Sequence, residues 1–136
     1  MANEATIVTL LGNGGDPVEY TLSGAGAIVK GGVMELLDAS TIQPMSAAGG
    51  VQAGIAATDY TAAETATTKL SCITHAVINL KTAAGGTATL GSYVRSAAGD
   101  NTVTVSTTLD NETGKSIGKS LETGGNAEQI DILMNL

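Results

Sequence analysis

The sequence predicts an all-β fold, a small barrel or sandwich of short strands with an extended N-terminal segment. Three observations predict it. Apolar residues alternate with polar ones or fall in short runs, with almost no helical spacing. Gly-rich breaks, drawn from 18 glycines in 136 residues, punctuate those runs at fairly regular intervals. The runs are rich in Val, Ile and Thr, whose branched β-carbons suit a pleated strand. The length fits one domain.

Residues 6–11 (TIVTLL) read as a strand dense in β-branched side chains. GNGGDP follows as a turn, and residues 18–22 (VEYTL) alternate, so the two runs suggest a first hairpin. Residues 27–29 and 33–37 flank Lys30-Gly31-Gly32, a hairpin signal because glycine accepts positive φ. Residues 41–43 form a short strand closed by Pro44, which has no N–H for a sheet ladder. Residues 51–57 (VQAGIAA) form a strand around Ile55. In residues 58–68, Thr61 and Glu64 have capping-box spacing, enough for one helical turn before the threonines that follow.

Residues 69–80 (KLSCITHAVINL) are the longest strand-like stretch. Leu70, Cys72, Thr74, Ala76, Ile78 and Leu80 fall on one face, and Ile73, His75, Val77 and Asn79 on the other. The stretch is long for one strand, which leaves room for a bulge or turn at Thr74-His75. Beyond a turn at residues 83–86 come short strands at 87–90 and 93–95, a turn at 98–101, and Val103 and Val105 alternating with threonines. Residues 109–114 (LDNETG) read as a polar loop, and residues 116–121 and 129–133 as closing strands. The expected division is an N-terminal arm and first hairpin over 1–24 and a barrel over 25–136. No linker and no fixed-period repeat is evident.

Composition removes several classes. One Cys excludes an intrachain disulfide scaffold and a multi-Cys zinc site, and one His excludes the two-His zinc protease motif. A net charge of −7 with six basic residues argues against nucleic-acid binding and against an anionic membrane surface. No apolar run is long enough to span a bilayer, and the N-terminal residues lack the basic start of a secretory signal. The expectation is a soluble chain made in a cytosol.

The residues that could carry chemistry have simpler readings. Gly12-Asn13-Gly14-Gly15 lacks the GK[ST] of a phosphate loop and reads as a turn. His75 has Ser71 and Ser92 only as guessed partners, with no GxSxG nucleophile motif, and reads as structural. Cys72 sits among Leu70, Ile73 and Ile78 and reads as a small core hydrophobe. Asp110-Asn111-Glu112, with Asp100-Asn101, offers oxygen ligands for calcium, but not at EF-hand spacing, and reads as a solvated acidic loop. Asn111-Glu112-Thr113 is formally a glycosylation sequon, discounted without a secretory signal. No catalytic, cofactor or metal residue is expected.

The run AGAIVKGGVMELLDASTIQPMSAAGGVQAGIAATDYTA resembles the front half of small phage capsid decoration (cement) proteins. There an apolar strand, a KG-apolar hairpin, and an aGIA segment followed by an acidic, Ala-rich stretch recur in order. GGTATLGSYV resembles their next element, and SIGKSLETGGNAEQIDILMNL their Gly-rich loop and final apolar strand. The likeness covers residues 25–136 and lies in the order of the motifs. It implies a β-barrel or β-tulip on the outside of an icosahedral tailed-phage head, with the major capsid protein and its own homotrimer as partners. It implies trimers at threefold and quasi-threefold positions that strengthen the expanded shell. It carries over no catalytic residue.

The expected foothold on the shell or a neighbour is the N-terminal segment, Ala2, Asn3, Glu4, Ala5, Thr6 and Ile7, by strand addition or by threading under a neighbour. On that reading, deleting residues 2–5 weakens shell binding and leaves the fold intact. The alternative is a phage or cell-surface binding module, a head-fibre, tail or adhesin component that recognises a host surface or glycan. It would want two of Tyr20, Tyr60 and Tyr93 exposed beside a groove. A hydrolase built on His75 would need a deep pocket holding a Ser and an acid.

Overall fold

The computed structural model describes residues 3–10, 18–24, 26–64, 69–98 and 101–136. The strands are β1 (Thr6–Leu10), β2 (Val18–Leu22), β3 (Val33–Asp38), β4 (Thr41–Pro44), β5 (Gln52–Ala56), β6 (Lys69–Ile73), β7 (His75–Thr82), β8 (Tyr93–Ser96), β9 (Thr102–Val105), β10 (Ser116–Ser120) and β11 (Gln129–Asn135). One short helix, α1 (Thr108–Glu112), stands before β10. The expected all-β barrel class holds.

The strands close two barrels. The first runs β2-β4-β3-β5-β6 and back to β2. The second runs β7-β9-β8-β10-β11 and back to β7, with β1 added on β7. The two have the same topology. β2 pairs parallel with β4 as β7 does with β9, and the other four pairings of each ring are antiparallel.

The registers also correspond. Thr21 faces Lys69 as Lys81 faces Gln129, a displacement of sixty positions. Met34 faces Gly54 as Val94 faces Gly118. The isolated bridge Ile28–Tyr60 has its counterpart in Ala88–Gly124. Ile28 and Tyr60 exchange both backbone bonds, at 2.8 and 2.9 Å, and Ala88 and Gly124 do the same at 2.9 Å. The chain is therefore a tandem repeat in structure. The repeat is not legible in the sequence because paired positions share a pattern and few identities.

The cores follow the repeat. The first barrel encloses Leu22, Ile28, Met34, Ile42, Ala53, Ala56, Leu70 and Cys72. Most of their counterparts in the second, such as Val94 for Met34 and Ile130 for Leu70, are buried in the other cluster, while those of Leu22 and Ala56 are the buried Thr82 and Ser120. That second cluster also takes in Val33, Met45 and Ile55 from the rim of the first barrel, Ala5, and partly buried Ile7 and Ile73. A shared apolar seam thus joins the barrels. The expected long strand breaks at Thr74, and this break is the crossing: Leu70 and Cys72 fill the first barrel, Ala76, Ile78 and Leu80 the second.

Three expectations are corrected. β1 and β2 do not form a hairpin over 1–24; β1 pairs with β7, and β2 with β4 and β6. The GNGGDP turn lies outside the described residues. Lys30-Gly31-Gly32 is a turn but not a hairpin, because Ile28 bridges to Tyr60 while β3 pairs with β4 and β5. The polar loop at 109–114 instead holds α1. Thr107 caps it, its side chain accepting from the Asp110 N–H while the Asp110 carboxylate accepts from the Thr107 N–H. Thr61 and Glu64 make analogous contacts, with the Thr61 N–H donating to Glu64 Oε2 at 2.7 Å, but close only a turn.

Candidate functional site

Cys72 and His75 are not brought into one reactive site. Cys72 is fully buried in the first barrel, and burial pushes its thiol up to about 12. A thiol in that state is a packing group rather than a nucleophile. His75 opens β7, half-buried, paired with Asn135. Among the described residues no hydrogen bond joins His75 to Ser71 or Ser92. The Ser92 hydroxyl instead donates at 2.6 Å to the Thr89 carbonyl within the turn before β8.

The acidic stretch is occupied with local structure. The Asp110 carboxylate is held below the usual range by hydrogen bonds from the Thr107 N–H and hydroxyl, with Arg95 and Lys115 adding to the effect. Arg95 Nε lies 3.2 Å from Asp110 Oδ2, off the direction of a hydrogen bond. Asn111 accepts from the Ser116 hydroxyl. Asp100 lies outside the described residues, and among those described no three His, Cys, Asp or Glu side chains cluster as metal ligands.

The N-terminal segment is less free than an arm. Ala2 lies outside the described residues. The Ala5 N–H donates at 2.6 Å to the Gly31 carbonyl, and its methyl group is buried in the seam. Gly31 has φ +89, and a β-carbon there would strike the Ala5 carbonyl. Ile7 packs against the same cluster, while Thr6 is exposed on β1. Glu4 points inward, with Oε1 buried and unpaired, and Asn3 is half-exposed. Ala5 thus belongs to the core that joins the barrels.

The larger surface feature was not legible in the sequence. A groove of about 570 Å³ runs between the barrels, lined by Val51, Gln52, Tyr93, Gly118, Asn135 and Leu136, among others. Tyr93 and Leu136 are about half exposed. Gln52 is buried, and its Oε1 has no hydrogen-bond partner. A smaller adjoining recess shares Tyr93, Gly118 and Asn135 and adds Lys119 and Leu133. Tyr60 lines a separate shallow recess with Ile28 and Glu64, and Tyr20 packs against the first core. The tyrosines therefore do not converge on one groove, as a glycan platform would want.

A solved structure has this architecture: the head fiber gp8.5 N base in bacteriophage phi29. The likeness covers 88% of this chain and 93% of that one, with a TM-score of 0.52 and 10% sequence identity. The likeness is one of fold. No protein-family model matches the chain, and no curated protein matches its sequence.

Proposed function

We propose that this chain is a structural component of a tailed-phage head. It binds the outer surface of the icosahedral shell, on the major capsid protein, and lacks a catalytic centre. The observation that carries this reading is the likeness in fold, over nearly the whole of both chains, to a head-fiber base. The order of decoration-protein motifs along residues 25–136 supports the finer reading. In that reading homotrimers at threefold and quasi-threefold positions cement the expanded shell against DNA pressure, with a foothold at Ala2–Ile7.

The physics of a cement protein suits such a chain. Three linked footholds convert weak contacts into avidity, by as much as ~10²–10⁴. Binding only the expanded shell stabilises it by ~2.7 kcal/mol per site at a hundredfold Kd. A net charge of −7 suits the outside of a particle rather than its DNA-facing interior.

The described neighbour favours a second reading, in which the chain seats a fibre that contacts the host. Quantitative mass spectrometry of purified particles separates the two. A ratio near ~1:1 with the main shell protein supports trimeric cement over the whole surface. A few copies per particle support the fibre base, and absence from particles overturns both.

A further inference from the structure

The tandem repeat gives each surface of one barrel a counterpart on the other. On the first barrel, the rim carrying Val33, Ile55 and Ile73 is covered within the chain. Asn101, from the loop between β8 and β9, is fully buried there, and its Oδ1 accepts at 2.8 Å from the Val33 N–H. In the same seam the Gln52 N–H donates to the Gly114 carbonyl at 2.9 Å, and the Gly49 N–H to the Ser96 carbonyl at 3.0 Å.

On the second barrel the counterparts of Val33, Ile55 and Ile73 are Tyr93, Lys119 and Leu133, as the matching registers require. These are the residues of the open groove and recess. The covered rim of one barrel is thus the uncovered rim of the other. The covering loop has an uncovered counterpart too. Ser40, between β3 and β4, matches Asn101, and both have a left-handed backbone, with φ of 52 and 61. Beside Ser40 stand Leu37, 56% exposed, and the exposed Asp38.

We infer that the Tyr93 rim of the second barrel takes the Leu37–Ser40 loop of the first barrel of a second copy of this chain. The contact repeats between copies the one already made within the chain. Leu37 enters the apolar part of the groove beside Tyr93 and Leu136. Asp38 brings a negative charge to the rim that carries Lys119, which makes no ion pair among the described residues. Because the two contact surfaces differ, the association is head-to-tail, and it closes into a ring or propagates according to the rotation between copies.

The test uses the full chain. Sedimentation and light scattering follow wild type, Tyr93→Asp, Leu37→Asp and the exposed-site control Leu121→Asp up to about 1 mM. The expected result is association of wild type and control, with affinity at least about tenfold weaker in each of the other variants. Circular dichroism checks that both remain folded, as their exposure leads one to expect. Mixing Tyr93→Asp with Leu37→Asp should restore a dimer, because that pair retains one intact contact. A monomeric wild type, unchanged association in both variants, or a mixture that stays monomeric overturns the inference. It stands apart from the head reading: solution association tests it, whereas particle stoichiometry tests the other.

Discussion

The Asn101 side-chain carbonyl caps the Val33 N–H at 2.8 Å in a buried site, across 68 positions of chain. The contact ties a loop of the second barrel to the rim of the first, and Asn101 tolerates its positive φ better than most residues. Asn101→Ala should therefore both strand a buried donor and strain the backbone, at a cost of about 2–3 kcal/mol. Asn101→Gly should cost less, since glycine keeps the conformation and loses only the bond. Urea midpoints of the two variants check the order; equal losses would leave the backbone no part in it.

Gly54 and Gly118 occupy matching positions, each beside the backbone of its barrel's last strand. A β-carbon at Gly54 would lie 2.6 Å from the Ile73 carbonyl oxygen, and one at Gly118 would strike the Leu133 carbonyl. Backbone cannot move aside as a side-chain tip can. Gly118→Ala should lose about 1–3 kcal/mol by overpacking alone. Gly54→Ala should lose more, because its φ of +128 adds strain. Thermal melts of both variants against wild type decide it.

The Cys72 thiol should be almost silent to thiol reagents in the native state. With its titration at about 12, about one molecule in 10⁴ is thiolate at pH 8. Labelling should proceed at the rate of unfolding and become fast in denaturant. The same shift makes a pH prediction. The folded state keeps a proton that the unfolded state releases above about pH 9, so this contribution to stability is complete below pH 9 and lost on the way to about 12. Cys72→Ala should flatten that part of the stability curve.

Deleting residues 2–5 should destabilise the isolated chain by about 1–3 kcal/mol, because the Gly31 carbonyl loses its donor and the seam loses the Ala5 methyl. A deletion variant with wild-type denaturation would remove β1's entry from the fold's support. Shell binding by the variant must then be compared under conditions where it is folded.

Asp110 should titrate below ordinary aspartates, and its cap on α1 should fail at low pH. Its lowered folded value means the contribution is present above the unfolded carboxylate range, near pH 4, and lost as pH falls through the folded value. Carboxyl NMR titration reads this directly. Thr107→Ala should raise the Asp110 titration toward normal and cost ~1 kcal/mol through the lost cap.

Local chemistry in the sequence located most strands and their buried faces. Cys72 was legible as core from its apolar neighbours, and the break near Thr74 from the length of the run. α1 was missed although Thr107 and Asp110 carry its cap, because Asp replaces the more usual Glu or Gln three residues on. The groove was not legible because Gln52 and Tyr93 meet only through the packing of the barrels. β1 was joined to the wrong partner because a turn signal beside two apolar runs says nothing of a strand much later in the chain.

By itself the sequence determined an all-β chain with aliphatic cores, since alternation and glycine punctuation act between near neighbours. Only the tertiary structure decided that the chain folds as two copies of one barrel. Few identities survive between the copies, Gly31 with Gly91 and Gly54 with Gly118 among them, and these glycines meet demands of backbone conformation or close approach. Elsewhere Met34 can become Val94 and Cys72 Ile132, because a barrel interior requires apolar volume on the correct face rather than a particular residue.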